Sequence, residues 1–350
     1  MADESIDAVR HLWQPAGPYL NTASYGLPPR PAWEALQAAL ADWREGRTSW
    51  ESWGESTGRA RATFARLLGV DPGRVAVGST VSQLVGLVAA SLPDRARVVA
   101  PEIDFTSLLF PFLVQADRGV EVRTVPLDGL ADAVDARTDV VAFSVVQSAT
   151  GELADLDAVA AAAREHGALT VADATQACGW LPLDGMRFDA VACAAYKWLL
   201  SPRGTAFLAL GGELLERVRP LAAGWWAGED PHESYYGPPL RLAADARRFD
   251  LSPAWFSWIG TAPALEVLEA VGIEAIHGHD VALANRFRAG LGLPRGDSPI
   301  VSTSQPGATE RLERAGIRAA VRASALRASF HLYNTEDDVD AALEALAATP

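Results

Sequence analysis

The sequence predicts an α/β protein, a mainly parallel central sheet flanked by helices with a small α+β lobe at the C-terminal end. Two observations carry this. Short runs rich in Val and Ala, each ending in polar or glycine residues, follow one another through the middle of the chain: "RVAVGST", "RVVAPEI", "VEVRTVPL", "DVVAFSVVQSATG", "LTVADATQ" and "FDAVACAAYKW". Helical stretches such as "VSQLVGLVAASL" and "LADLDAVAAAAREHG" separate several of them, and strands alternating with helices build a parallel sheet. At 350 residues, 49% of them hydrophobic, the chain exceeds what one core usually holds, so two lobes are expected.

The large lobe is placed at residues 31–259. From about Gly260 the pattern becomes a helix, "TAPALEVLEAVG", then "SPIVSTSQ", a helical "TERLERAG", the strand-like "IRAAVRAS" and "LRASFHLY", and a final helix "TEDDVDAALEALAA". This places the small lobe at residues 260–350. The first twenty residues, "MADESIDAVRHLWQPAGPYL", are acidic and polar and do not read as a signal or transit peptide.

Composition excludes several classes of function. The formal charge of -14, from 30 basic and 44 acidic side chains, argues against a general grip on nucleic acid or anionic membrane. No run of about 18 apolar residues occurs, so no membrane span is expected. Cys178 and Cys193 are the only cysteines, without a CxxC pair, so neither a disulfide framework nor a zinc site is expected and the compartment reads as reducing and cytoplasmic. "HGHD", His277 to Asp280, is the nearest thing to a ligand cluster and reads as an exposed loop at a helix end; no metal site is expected.

Three features carry chemistry. Lys197 stands in the apolar stretch "VACAAYKWLLSPRG", where burial disfavours the ammonium and a partly neutral amine becomes a nucleophile toward aldehydes. Asp173 follows the apolar run "ALTVA" and is expected to be buried, so it needs a cationic partner: a protonated ring nitrogen, an arginine or a helix N-terminus. Gly78, Ser79 and Thr80 lie between a strand and a helix, a place that suits an anion such as phosphate and equally suits plain helix capping. Ser79, Ser148 and Asp173 all fall where strands end, the edge at which ligands gather in such sheets.

"VADATQACGWLPLD" followed by "AAYKWLLSPRGTAFL" resembles the cofactor core of the class V aminotransferases, the fold-type I pyridoxal-phosphate enzymes that include cysteine desulfurases, kynureninases and isopenicillin epimerase-like proteins. The likeness runs from "YLNTASYGLPP" to "LRASFHLYNTEDDVDAAL". It implies pyridoxal 5'-phosphate as cofactor, Lys197 as the Schiff-base lysine that later moves the proton at the substrate α-carbon, and Asp173 on the pyridinium nitrogen. By the same resemblance Gln176 contacts the ring hydroxyl, Phe105 stacks on the ring, and Ser79 and Thr80 form the phosphate cup. Thr150 and Gly151 close a further wall. Arg327 takes the substrate α-carboxylate with Asn21 beside it, and residues 1–30 serve both the active site and the small lobe. A homodimer with shared sites is implied as well.

The chain departs from the family in places. Ala194 and Tyr196 stand where Ser and His are frequent, so the phenol of Tyr196 is a candidate phosphate contact, and Ser148 stands near the place of a strand-end asparagine. No cysteine precedes the carboxylate arginine in "SQPGATERLERAGIRAAVRASA", which disfavours persulfide-forming sulfur transfer. The aromatic segment Trp225 to Tyr236 reads as a wall over the substrate or a subunit interface. The reaction expected is transamination of an amino acid or amine-bearing intermediate. Carbon–sulfur lyase and epimerase chemistry are the alternatives, and an inactive dimeric binding module is the alternative outside catalysis.

Overall fold

The computed structural model describes residues 5–347. Its centre is a seven-stranded sheet of β1 (Val75–Gly78), β2 (Arg97–Pro101), β3 (Glu121–Val125), β4 (Val140–Ser144), β5 (Leu169–Asp173), β6 (Ala190–Ala194) and β7 (Ala206–Leu210), in the order β1-β7-β6-β5-β4-β2-β3. The pairs β2–β3, β2–β4, β4–β5 and β5–β6 are parallel, whereas β7 runs against both of its neighbours. The six Val and Ala runs of the sequence supply the first six strands. β7, "AFLAL", is not announced by periodicity, because five apolar residues buried on both faces carry no alternation.

Helices cover both faces of the sheet, as its doubly buried strands require. Val81–Ser91 packs against Thr106–Leu113 on one side. On the other, Trp50–Leu68 packs on Trp255–Val271, whose buried Trp258 meets Phe207 of β7 edge-on at 5.2 Å. The helix Trp255–Val271 spans residue 260 and ends at Gly272, where φ is 87°. Glycine alone tolerates that conformation without strain.

After Gly272 the helix Ile273–Gly290 leads to a second, three-stranded antiparallel sheet of β8 (Ile300–Thr303), β9 (Ala320–Arg322) and β10 (Ala325–Ser329), ordered β8-β10-β9. Its core, from Phe287, Val301, Leu326 and Phe330, also takes in Leu20 of the N-terminal segment. That segment lies along the small sheet: Leu20 N–H donates to Arg318 O at 2.7 Å and Leu20 O accepts from Ser329 N–H at 2.9 Å. The expectation that His277 to Asp280 form an exposed loop is wrong. All four residues lie inside the helix Ile273–Gly290, where Asp280 is fully buried against His331. A single polar run gives no sign of a partner 51 positions away.

Among the described residues, no helix is long and apolar enough to cross a membrane.

Candidate active site

At the carboxyl ends of β1, β2, β4, β5 and β6 lies a cavity of about 170 Å³ whose walls include Ser79, Thr80, Phe105, Ser148, Asp173, Gln176, Tyr196 and Lys197. Eight residues singled out from the sequence therefore converge on one space. They come together because each follows the last residues of a strand in the same sheet. Ser82, Ser107, Ser144, Thr175 and Arg203 complete most of the polar lining.

Lys197 is buried, at 6% exposure, and burial holds its pKa down at about 8 against the pull of Asp173. Its Nζ lies 5.4 Å from the centre of the Phe105 ring and 5.8 Å from that of Tyr196. The backbone around it is constrained. Leu200, fully buried, takes the left-handed φ of 55°, at a cost of about 1–3 kcal/mol for such a residue. Gly26 donates its N–H to Tyr196 O at 2.9 Å, and a Cβ at Gly26 would stand 2.0 Å from Lys197 O. The N-terminal segment thus clamps the lysine loop only because residue 26 has no side chain.

Asp173 ends β5 and is buried; its Oδ1 accepts from Thr175 N–H at 2.9 Å, and burial pushes its pKa up despite that bond and despite Lys197. Thr175 in turn accepts from Ala194 N–H at 3.0 Å, locking the ends of β5 and β6 together. Gln176 is engaged on every side. Its Nε2 donates to Ala23 O and to Ser148 Oγ at 3.0 Å each, and its Oε1 accepts from Trp198 Nε1 at 2.7 Å. As placed, the amide braces the N-terminal segment, the β4 turn and the lysine loop.

Thr80 caps the helix Val81–Ser91, accepting from Gln83 N–H at 3.2 Å. Phe105 is 45% exposed, so it is a wall of the cavity and not packed core. Arg327 of β10 is 1% exposed, and its guanidinium donates to Ser148 O and, at 2.7 Å, to Ser24 Oγ. No carboxylate pairs with it among the described residues. Burial and the neighbouring Arg322 lower its pKa to about 10. Neither Arg327 nor Asn21 lines the cavity; the Asn21 carbonyl accepts from Ser24 N–H and Tyr25 N–H, while its Oδ1 is buried without a partner.

Two expectations need correction, and one residue was missed. Thr150 and Gly151 do not line the cavity; Gly151, at φ 80°, turns against Ile300 of β8, where a Cβ would meet Ile300 Cβ at 2.6 Å. The aromatic segment Trp225 to Tyr236 is no part of the lining either. Trp225, Trp226, His232 and Tyr235 gather around Trp50, with ring centres 4.7–6.4 Å apart. Asp104 was not anticipated at all. It is buried and accepts from Ser144 N–H at 2.7 Å, Ser144 Oγ at 2.5 Å and Phe105 N–H at 2.6 Å, so it fixes the aromatic wall to the end of β4. The signal was available, since Asp104 follows the strand run "RVVAPEI" within a few residues, much as Asp173 ends its own.

The donor set fits a phosphorylated pyridine aldehyde. A buried amine with lowered pKa suits the aldehyde, a buried carboxylate suits a ring nitrogen that carries a proton, an aromatic side chain suits the ring face, and hydroxyls at a helix N-terminus suit the phosphate.

Fold and site together define a fold-type I pyridoxal-phosphate enzyme. The chain belongs to the class V aminotransferase family, described as "Aminotransferase class-V", whose pattern matches residues 44–296. It is 30% identical over 325 residues to the uncharacterized aminotransferase YcbU of Bacillus subtilis, covering 86% of each chain, and 31% identical over 394 residues to isopenicillin N epimerase of Streptomyces clavuligerus, covering 96% of each. Among solved structures it superposes on the cysteine desulfurase CsdA of Escherichia coli with a TM-score of 0.83 at 22% identity, over 98% of this chain and 97% of that one. The cystine C–S lyase C-DES, solved with glycine linked to its pyridoxal phosphate, gives a TM-score of 0.87 at 21% identity over 97% and 98% of the two chains. The family's cofactor is pyridoxal 5'-phosphate.

Proposed function

We propose that this chain is a pyridoxal-phosphate-dependent aminotransferase acting on an α-amino acid. One observation carries the reading: Lys197, a buried amine with pKa near 8, opens on the cavity that Asp173 shares. Pyridoxal phosphate, when bound, supplies an aldehyde that captures amines and a ring that draws electrons from the substrate α-carbon. Lys197 would hold that aldehyde, and its amine, with a pKa near the working pH, would move the proton at the substrate α-carbon. Asp173 would hold the ring nitrogen in its protonated form. Arg327, a buried cation without an acid, takes the substrate carboxylate with the planar two-pronged geometry of its guanidinium.

Transamination is favoured over sulfur transfer because Cys178 and Cys193 are both buried and neither faces the cavity. A homodimer in the cytoplasm belongs to the same proposal and is checked by sedimentation and cell fractionation.

The test is to reconstitute the protein with pyridoxal phosphate and add amino acids, cysteine and its thioethers included, while following the visible absorption of the bound cofactor. A lasting bleach reversed by a keto acid supports transamination. Ammonia release with recovery of the band means elimination, and loss of optical rotation alone means epimerisation. Lys197 is the only lysine of the chain, so borohydride reduction must tag this side chain alone, apart from the terminal amine. A Lys197→Ala protein with full biological activity would establish the binding-module alternative.

A further inference from the structure

The cavity has two cations on its lining, Lys197 and Arg203, and the mechanism uses only the first. Sheet register places the second. Gly78 of β1 pairs with Ala206 of β7, and Ala206 pairs with Ala194 of β6, so the three residues form one row across the sheet. Ser79 and Thr80 leave that row from β1, Lys197 leaves it from β6, and Arg203 stands three residues before Ala206 on the way into β7. Arg203 is thereby held at the same end of the sheet as the N-terminus of the helix Val81–Ser91.

Its guanidinium lies over the Tyr196 ring, 4.9 Å from the centre, and no carboxylate pairs with it among the described residues. The other donors at this end are neutral: Ala194 brings only a methyl, and Ser79, Thr80 and Ser82 bring uncharged hydroxyls. A phosphate monoester carries a charge of about -1.5 to -2 at neutral pH, and a helix N-terminus offers about +0.5. About one to one and a half negative charges are left over, and neutral hydroxyls carry no charge to offset them.

We propose that Arg203, placed over the Tyr196 ring, is the cation that binds the phosphate of pyridoxal phosphate in this chain. A planar fork of N–H donors matches two phosphate oxygens at once. The attraction of the Tyr196 ring face holds the guanidinium at the cavity wall.

The proposal is tested by the dissociation constants of pyridoxal 5'-phosphate and of pyridoxal, which lacks the phosphate, measured from the visible absorption of the wild-type, Arg203→Ala and Arg203→Lys proteins. Arg203→Ala is expected to weaken the phosphate ester by about 10- to 100-fold, the range for a lost charge-assisted contact, and to leave pyridoxal unchanged. Arg203→Lys recovers part of the loss, and added salt narrows the gap between wild type and Arg203→Ala. Equal weakening of both ligands would make Arg203 a support of the loop and overturn the proposal. An unchanged constant for the ester overturns it as well, including the case in which only the KM of an amino-acid substrate rises, which would place Arg203 at the substrate entrance.

Discussion

Two buried arginines of this chain keep opposite company. Arg61, on the helix Trp50–Leu68, meets Asp250 through Nη2 at 2.5 Å and Nη1 at 3.2 Å, and Asp250 also accepts from Val77 N–H at 2.8 Å. Arg327 is more deeply buried and finds only the neutral oxygens of Ser148 and Ser24. The same division separates the buried acids. Asp280 is closed by His331 Nδ1 at 2.7 Å, while Asp173 has only the neutral donors of Thr175 beside it and faces a lysine that does not pair with it. A closed buried pair has its opposite charge or polar partner within the fold and ties elements together, here Asp250 to β1 and His331, through Nε2 at 3.0 Å, to Trp198 O in the lysine loop. An open buried charge costs stability, and what it lacks defines the ligand.

The largest effect should come from the open amine. Lys197→Ala is expected to lower turnover by more than about 10³-fold, because it removes both the cofactor anchor and the proton-transfer group. It should leave the denaturant midpoint at neutral pH unchanged or higher, since a buried charge disappears. A folded Lys197→Ala protein with turnover within tenfold of wild type would break the division.

Next comes the closed pair, with the opposite signature. Asp250→Ala strands the Arg61 guanidinium and should cost about 3–5 kcal/mol of stability in urea titrations. Turnover per folded molecule should stay near wild type. Arg327→Ala should do the reverse: KM for α-amino acids rises by about 10- to 100-fold, while amines without a carboxylate are unaffected. If Asp250→Ala proves silent in urea while Arg327→Ala unfolds the protein, closed and open charges do not sort by role.

The open charges were legible in the sequence, and the closed ones were not. Lys197 and Asp173 each end an apolar strand run, so their placement is a local fact about a few neighbouring residues. Arg61 and Asp250 are 189 positions apart and His331 and Asp280 are 51 apart, and no pattern along one strand or helix joins them. Fold class follows from the strand runs in the same local way, but β7 and the helix Ile273–Gly290 lack the alternation that marks an element by its surface. One compositional signal stands out: Lys197 is the single lysine among 30 basic side chains, and every surface charge of that sign is arginine. That count marks the residue without any motif.

The smallest effect tests the open amine through stability alone. The pKa of Lys197 is about 8 in the folded protein, below its ordinary value of 10.5, and desolvation is the main cause. Between these values the unfolded chain binds more protons than the folded one, so stability rises with pH through that window. From pH 8 to pH 9 the gain for the cofactor-free protein should be about 1 kcal/mol, read from urea midpoints. Lys197→Met carries no titrating amine and should lose this rise, while the tyrosines and the terminal amine contribute equally to both proteins and cancel in the difference. Because the chain has no other lysine, the difference isolates one group. Identical pH slopes for the two proteins would mean that the amine is solvated in the folded state, and its claim to be an open buried charge would fall with it.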